Sequence, residues 1–189
     1  MIRIGILGEI GSGKSYVAKN FGYPVFNADI EVAKLYRKNK NVFVKLKKAL
    51  PTYIQSFPVK KDELTEAIIA SKVNLKKIVK IIHKEVRKKM NTFLRKNKSQ
   101  KFIILDIPLL LENKINKKND ILVFVESKKK DIFKRLKKRD NFNKILLNKF
   151  RDLQLPIDYK KKKSHFIIKN NFTKKFIKRG IKKVLIQIK

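Results

Sequence analysis

The sequence predicts an α/β fold, a parallel sheet covered on both faces by helices. Three observations carry that prediction. Short apolar runs of strand length alternate with segments of helical spacing along the whole chain; the first such run passes directly into a glycine-rich turn and then a helix; and no internal repeat or long linker divides the 189 residues. Strands separated by helical crossovers pair in parallel, because a parallel connection needs a dozen or more residues to return to the same edge.

The elements follow in order. Ile2 to Leu7 (IRIGIL) is a buried parallel strand, and Lys14 to Phe21 has helical spacing. Val25 and Phe26 form a second short strand, and Asp29 sits at a helix start leading into Val32, Leu35 and Tyr36. Residues 41–70 hold two shorter helical stretches separated by Pro51 and Pro58 and read as an inserted helical subdomain. From Asn74, read as an N-cap, Leu75, Ile78, Val79, Ile82, Val86, Met90 and Phe93 recur at three- and four-residue intervals, which describes one long amphipathic helix. Lys101 to Asp106 (KFIILD) is the next strand, broken by Pro108, and Asp120 to Val125 (DILVFV) is another. Ser127 is read as the cap of a basic helix running through Arg139, and a second helical stretch continues to about Leu153. His165 to Ile168 (HFII) is the last strand and Thr173 to Ile188 the closing helix.

Composition narrows the function classes. With no cysteine, neither a disulfide framework nor a Cys-based zinc site is possible. The formal net charge of +35 is mostly lysine spread over nearly every helix, without the interleaved aromatics of a base-stacking platform. It reads as a solvated basic surface that draws in anionic substrates, with a polyanion-binding role as the lesser reading. Met1 to Leu7 runs straight into the glycine turn, leaving no room for a signal peptide, and no apolar run approaches the roughly 20 residues that span a bilayer. The expectation is a soluble cytoplasmic chain with no membrane partner and no specific nucleic acid, a monomer or small homo-oligomer.

The chemistry is concentrated in Gly8 to Ser15 (GEIGSGKS), which satisfies the phosphate-loop pattern G-x-x-x-x-G-K-[ST] between a strand and a helix. Gly8, Gly11 and Gly13 let the loop curl so that successive N–H groups, Ser12's among them, point at phosphate oxygens, and the helix N-terminus adds its dipole. Lys14 reaches the β- and γ-phosphates, and the Ser15 hydroxyl ligates Mg²⁺. An ordinary strand-to-helix turn has no need of Lys14 and Ser15. The fold class sharpens accordingly to a P-loop NTPase-like three-layer sandwich using ATP and Mg²⁺.

Three further groups suit phosphoryl transfer, each with a plainer alternative. Asp106, ending an apolar strand, is placed as a second metal-related carboxylate, or is a turn aspartate before Pro108. Asp29, at the carboxyl end of the second strand, can orient or deprotonate an acceptor, or simply start a helix. Arg135 and Arg139 (RLKKRD) lie where small nucleotide kinases carry an arginine-bearing lid, or are members of a basic helix. The nearest match to guanine recognition, Asn116 to Asn119 (NKKN), lacks the closing Asp and precedes its strand, which argues against a GTPase.

Together these segments resemble one family, dephospho-coenzyme A kinase. The resemblance rests on GEIGSGKS, on Asn27-Ala28-Asp29 where the family has Asp-Ala-Asp, and on Ile82 to Arg87 (IHKEVR), similar to its His-Pro-x-x-Arg segment. It continues through Asp106 to Glu112 (DIPLLLE), Arg135 to Asp140, Gln154, and Ile168-Lys169-Asn170, in family order over nearly the whole chain. What the resemblance implies is ATP-dependent phosphorylation of the ribose 3′-hydroxyl of dephospho-coenzyme A, with Asp29 as base candidate and Lys14 and Arg139 around the transferred phosphoryl. It further implies that His83, Arg87, Pro108, Leu109 and Glu112 line the acceptor site, that Arg139 belongs to a closing lid, and that Tyr16, Arg135 and Asn170 lie on the nucleotide side. The implied organisation is a single kinase domain with core 1–30, 98–134 and 164–189, an acceptor-binding subdomain at about 31–97 and a lid at about 135–163. Departures are Asn27 for the first family Asp, Glu9 for a common Gly, Tyr16 for a common Thr, Lys84 for the Pro after the histidine, and Ser164-His165 for Ala-Asp. Another P-loop nucleotide or small-molecule kinase is the nearer alternative, and a nucleic-acid-stimulated ATPase the distant one.

Overall fold

The chain is described by a computed structural model covering residues 1–138 and 142–188. In chain order its elements are β1 (Ile2–Gly8), α1 (Lys14–Asn20), β2 (Val25–Asn27), α2 (Ala28–Lys38), α3 (Lys40–Ala49), α4 (Lys61–Ala70), α5 (Lys72–Lys96), β3 (Phe102–Asp106), β4 (Ile121–Glu126), α6 (Lys129–Lys137), α7 (Lys144–Arg151), α8 (Ile157–Lys162), β5 (Phe166–Lys169) and α9 (Lys174–Gln187). The five strands pair in parallel in the order β2-β3-β1-β4-β5. Each expected strand is present. With β1 central, the chain builds outward on one side to β3 and β2 and on the other to β4 and β5. The carboxyl end of β1 is therefore a topological switch point, where open parallel sheets form a crevice.

The chain divides into two compact units. The first comprises residues 1–27, 97–142 and 151–189, and holds the sheet. One sheet face, built by Ile4, Ile6, Phe102, Ile104, Val123, Val125 and Ile168, is covered by Val17, Ala18 and Phe21 of the α1 segment and by Ile177, Ile181 and Val184 of α9. On β1 the alternate residue, Gly5, leaves room for Leu110; a Cβ there would lie 2.4 Å from Leu110 Cδ2. Leu110, in the Pro-Leu-Leu-x-Glu stretch, is fully buried, so part of that signature is core packing.

Two charges are buried at the amino-terminal end of the central strands β1 and β4. Arg3 donates to Asp120 at 2.7 Å and to the Ile115 carbonyl at 3.0 Å, while Asp120 also accepts from the Lys117 amide at 2.9 Å. Both side chains are nearly inaccessible to water.

The second unit comprises residues 28–96 and 143–150. Its axis is α5, on which Leu75, Ile78, Ile82, Val86 and Met90 form the buried stripe the spacing predicts; α2, α3 and α4 pack against that helix. The start of α5 differs from expectation. Asn74 lies inside the helix and donates to the Ala67 carbonyl at 3.1 Å, whereas the Ser71 hydroxyl accepts from the Val73 amide at 3.0 Å and supplies the cap. The reason is the extended backbone at Ser71 (φ −157°, ψ 140°), which separates α4 from α5 and puts its short side chain beside the first free amides. No helix among the described residues is long and apolar enough to cross a membrane.

Removing one member of the Arg3–Asp120 pair leaves the other charge buried without a counter-ion, which costs far more than an exposed pair is worth. Asp120→Ala is expected to lower the unfolding free energy by about 3–5 kcal/mol, read from urea denaturation. A loss under about 1 kcal/mol, the range of an exposed pair, would mean water reaches Arg3.

Candidate active site

The first unit contains the phosphate loop as a formed structure. Between β1 and α1 the backbone takes positive φ at Gly8 (147°), Gly11 (88°) and Gly13 (88°). Gly13 is the N-cap of α1, and no side chain caps the helix there. The amides of the first helical turn are thus free of a competing side chain where an anion would sit. A Cβ at position 13 would lie 2.4 Å from Asn170 Nδ2, so any other residue there would displace that amide from the Ser12 carbonyl in addition to straining the backbone.

Side chains from distant segments hold the loop's shape. Asn170, buried at the end of β5, donates from Nδ2 to the Ser12 carbonyl at 2.8 Å, and the Ser127 hydroxyl donates to the same carbonyl at 2.9 Å. Ser127 was expected to cap α6, but that helix begins after Lys128 with no side-chain cap, because the hydroxyl is committed to the loop. Lys14 is buried and folds back over the loop, its Nζ donating to the Gly8 carbonyl at 3.2 Å and the Glu9 carbonyl at 2.9 Å. Its charge is thereby directed over the anion cradle rather than into solvent. Ser12 is fully buried, Ser15 half-buried and Tyr16 exposed.

Asp106 ends β3 in register with Asn27 at the end of β2. It is almost inaccessible, and Asn27 Nδ2 donates to its Oδ2 in a short hydrogen bond. The first family aspartate is therefore replaced here by a donor that pins the neighbouring carboxylate. Pro108 and Leu109 are half-buried. Glu112 accepts from the Leu155 amide at 3.0 Å and pairs with Lys160 at 3.3 Å, and Lys160 also donates to Gln154 Oε1 at 3.0 Å. Lys160 is 1% exposed, so this cluster is a buried anchor for the segment that follows α7. Arg151, the last residue of α7, pairs with the Glu9 carboxylate in the phosphate loop at 3.1 Å. Sequence reading missed Arg151; the departure at Glu9 was the available signal, since an acidic side chain in an anion-binding loop needs a counter-charge. Arg135 is exposed on α6, with its guanidinium 4.3 Å from the centre of the Phe172 ring. Arg139 lies outside the described residues.

The second unit carries the remaining candidates. Asp29 is exposed in the first turn of α2, two residues beyond the end of β2, where its negative charge complements the helix dipole. His83 and Arg87 lie four apart on α5 and so share a face. Burial lowers the His83 pKa from its ordinary 6.5, and the positive charge of Arg87 lowers it further.

Gly13→Ala combines strain at φ 88° with the clash against Asn170, so ATP affinity is expected to fall about tenfold or more, measurable by calorimetry. For His83, folding disfavours the protonated form, so the unfolded chain binds the proton first as pH falls. Its contribution to stability is complete above pH 6.5 and is lost as pH drops through the lowered folded-state midpoint. An NMR titration of the ring should give a midpoint below 6.5 that rises in Arg87→Ala; a midpoint unmoved by that change would remove Arg87 as a cause.

The chain is similar to known proteins over most of its length. The family model for dephospho-CoA kinase matches residues 2–175. A dephospho-CoA kinase from Wolbachia pipientis wMel is 33% identical over 187 residues, covering 96% of this chain and 95% of its own length. One from Zymomonas mobilis is 31% identical, with 90% and 88% covered. Among solved structures, TT1252 from Thermus thermophilus superposes with a TM-score of 0.81 at 26% identity, covering 100% of this chain and 98% of its own. A dephospho-CoA kinase from Campylobacter jejuni gives 0.63 at 22% identity, with 98% and 96% covered, and shares the fold. With a family match spanning most of its length and a phosphate loop folded as its sequence requires, the chain belongs to the dephospho-CoA kinase family.

Proposed function

We propose that this chain transfers the γ-phosphoryl group of ATP to the ribose 3′-hydroxyl of dephospho-coenzyme A, giving coenzyme A and ADP. The observation that carries the reading is the phosphate loop with Lys14 turned over it, in a chain of this family. The acceptor oxygen forms a bond to the γ-phosphorus as the bond to the β,γ-bridging oxygen breaks, and the hydroxyl proton passes to a base. Asp29 is the base candidate, an exposed carboxylate just past the end of β2. Lys14 and the loop amides hold the charge that develops on the β- and γ-phosphate oxygens, and Arg139 is assigned the same task from the lid.

The donor set fits Mg²⁺. Ser15 and Asp106 offer hard oxygen ligands, and no cluster of three or more His, Cys, Asp or Glu that could cage a metal occurs among the described residues. Mg²⁺ characteristically takes one or two protein oxygens and completes its shell with water and substrate phosphates. When bound it neutralises phosphate charge during transfer. Asn27 donates to Oδ2 of Asp106, and the same carboxylate would serve the ion or its waters. His83, Arg87, Pro108, Leu109 and Glu112 are the proposed acceptor-side residues. Arg135, Asn170 and Tyr16 are those proposed for the nucleotide. Both substrates are polyanions, so the net charge of +35 should speed encounter at low salt.

The deciding experiment offers the purified protein a panel of acceptors with ATP and Mg²⁺. Dephospho-coenzyme A should be preferred, and faster turnover of a nucleoside monophosphate would overturn the reading. Lys14→Ala should cost at least about 10²-fold in turnover with the circular dichroism spectrum intact. Asp29→Asn should lower kcat about 10²- to 10⁴-fold with ATP affinity within about twofold of the parent; a near-normal kcat would remove Asp29 from the proton transfer.

A further inference from the structure

Glu9 places a carboxylate inside an anion-binding loop, where its charge repels the phosphates the loop is shaped to hold. Its position along the loop is defined by Lys14. The Glu9 carbonyl accepts from Lys14 Nζ at 2.9 Å, so residue 9 adjoins the ammonium that serves the β- and γ-phosphates. The Glu9 side chain is 18% exposed, and its Oε1 accepts from Arg151 Nη2 at 3.1 Å. A guanidinium is thereby held at the same end of the loop.

The pair is of a kind that exchanges readily. Its single Nη2–Oε1 bond is the one hydrogen bond the Arg151 side chain makes among the described residues, and that side chain is 42% exposed. An ion pair so exposed and so singly bonded is weak. A phosphoryl group offers more charge and more acceptor oxygens, and a guanidinium grips it through two parallel bonds. Nor can Arg151 drift away once released. Its carbonyl accepts from the Gln154 amide at 2.9 Å, and Gln154 Oε1 accepts from Lys160 Nζ at 3.0 Å. The buried Lys160 is fastened in turn to Glu112 at 3.3 Å, and the Leu155 amide donates to the same carboxylate at 3.0 Å. Arg151 is thus tethered beside the loop with two anions able to claim it, the Glu9 carboxylate and the terminal phosphate of a triphosphate.

We propose that Glu9 is an internal competitor for the γ-phosphate: ATP must displace the carboxylate from Arg151 to reach that guanidinium, whereas ADP, which lacks the terminal phosphate, leaves the pair closed. The proposal rests on the kinase reading above for the identity of the nucleotide. Glu9 acts through Arg151 and touches no reacting atom. The cost of opening the pair falls only on ligands with a γ-phosphate, so Glu9 sets how tightly the triphosphate is held and leaves the diphosphate nearly unaffected.

The test measures binding of ADP and of the β,γ-imido analogue of ATP, each with Mg²⁺, by calorimetry on the full chain without acceptor. Glu9→Gln should tighten the analogue about three- to fivefold, the most an exposed pair returns, and change ADP by less than about twofold. Glu9→Ala should do the same, which keeps the proposal testable if one variant does not fold. In turnover assays the KM for ATP should fall by a similar factor with kcat maintained, because the competitor is removed from ground state and transition state alike. Arg151→Gln completes a double-mutant cycle. It should weaken the analogue more in the Glu9→Gln background than in the parent, since Arg151 there reaches the γ-phosphate without first giving up a partner. A cost larger in the parent, or equal in both backgrounds, would show that Arg151 does not pass from Glu9 to the phosphate, and would overturn the proposal. So would equal tightening of ADP and the analogue, or unchanged affinity for the analogue in the folded Glu9 variants. Failure of the kinase reading looks different: the parent protein would bind nucleotide yet leave dephospho-coenzyme A unphosphorylated, with the binding comparison still standing.

Discussion

The left-handed turn at Gly13, clamped by Asn170, is the constraint on which the remainder of the structure depends. It makes β1 hand over to α1 within a few residues, so the amino-terminal end of the helix opens at the carboxyl end of the central strand. Asn170 arrives from the far end of the sheet and Ser127 from the end of β4, and both spend their polar hydrogens on the Ser12 carbonyl. Backbone groups in such a loop would otherwise be buried without partners. The sheet order brings these segments together, and a side chain at position 13 would push against the Asn170 amide that holds the loop.

A second level of organisation is electrostatic. In a chain with 50 basic and 15 acidic side chains, most cations face water, and the few carboxylates are placed where they decide something. Asp120 neutralises Arg3 at the start of the central strands, Glu112 holds Lys160 and the Leu155 amide in the interior, and Glu9 holds Arg151 beside the phosphate loop. The buried pairs act mainly as specifiers, since charges taken out of water gain little net stability but tolerate only one arrangement of partners. The Glu9–Arg151 pair is partly exposed and correspondingly weak, which suits a contact beside a loop that receives an anion.

The departures from the family pattern have local compensation. Asn27 replaces a carboxylate by an amide that donates to Asp106, so the two strand ends carry one negative charge and a hydrogen bond instead of two facing negative charges. Glu9 brings its own counter-ion in Arg151. His165 accepts from the Leu122 amide through Nδ1 at 2.9 Å, which extends the β4–β5 pairing by a side-chain bond.

The residues alone determined the strands, the phosphate loop and the long helix, because each depends on a local pattern: strand-length apolar runs, a fixed glycine and lysine spacing, and apolar residues three and four apart. Asp29 at a helix start and Asp106 at a strand end were legible for the same reason. Only the tertiary structure decided which polar side chain serves which backbone group. Ser127 leaves the helix it could have capped for a loop carbonyl 115 positions away in sequence, Ser71 displaces Asn74 as the cap of α5, and Phe172 is held in a disfavoured conformation by Asn170 and Arg135. Such choices turn on competition between partners that folding alone makes neighbours, and a hydrogen bond of the same intrinsic strength goes to whichever partner the packing leaves otherwise unsatisfied.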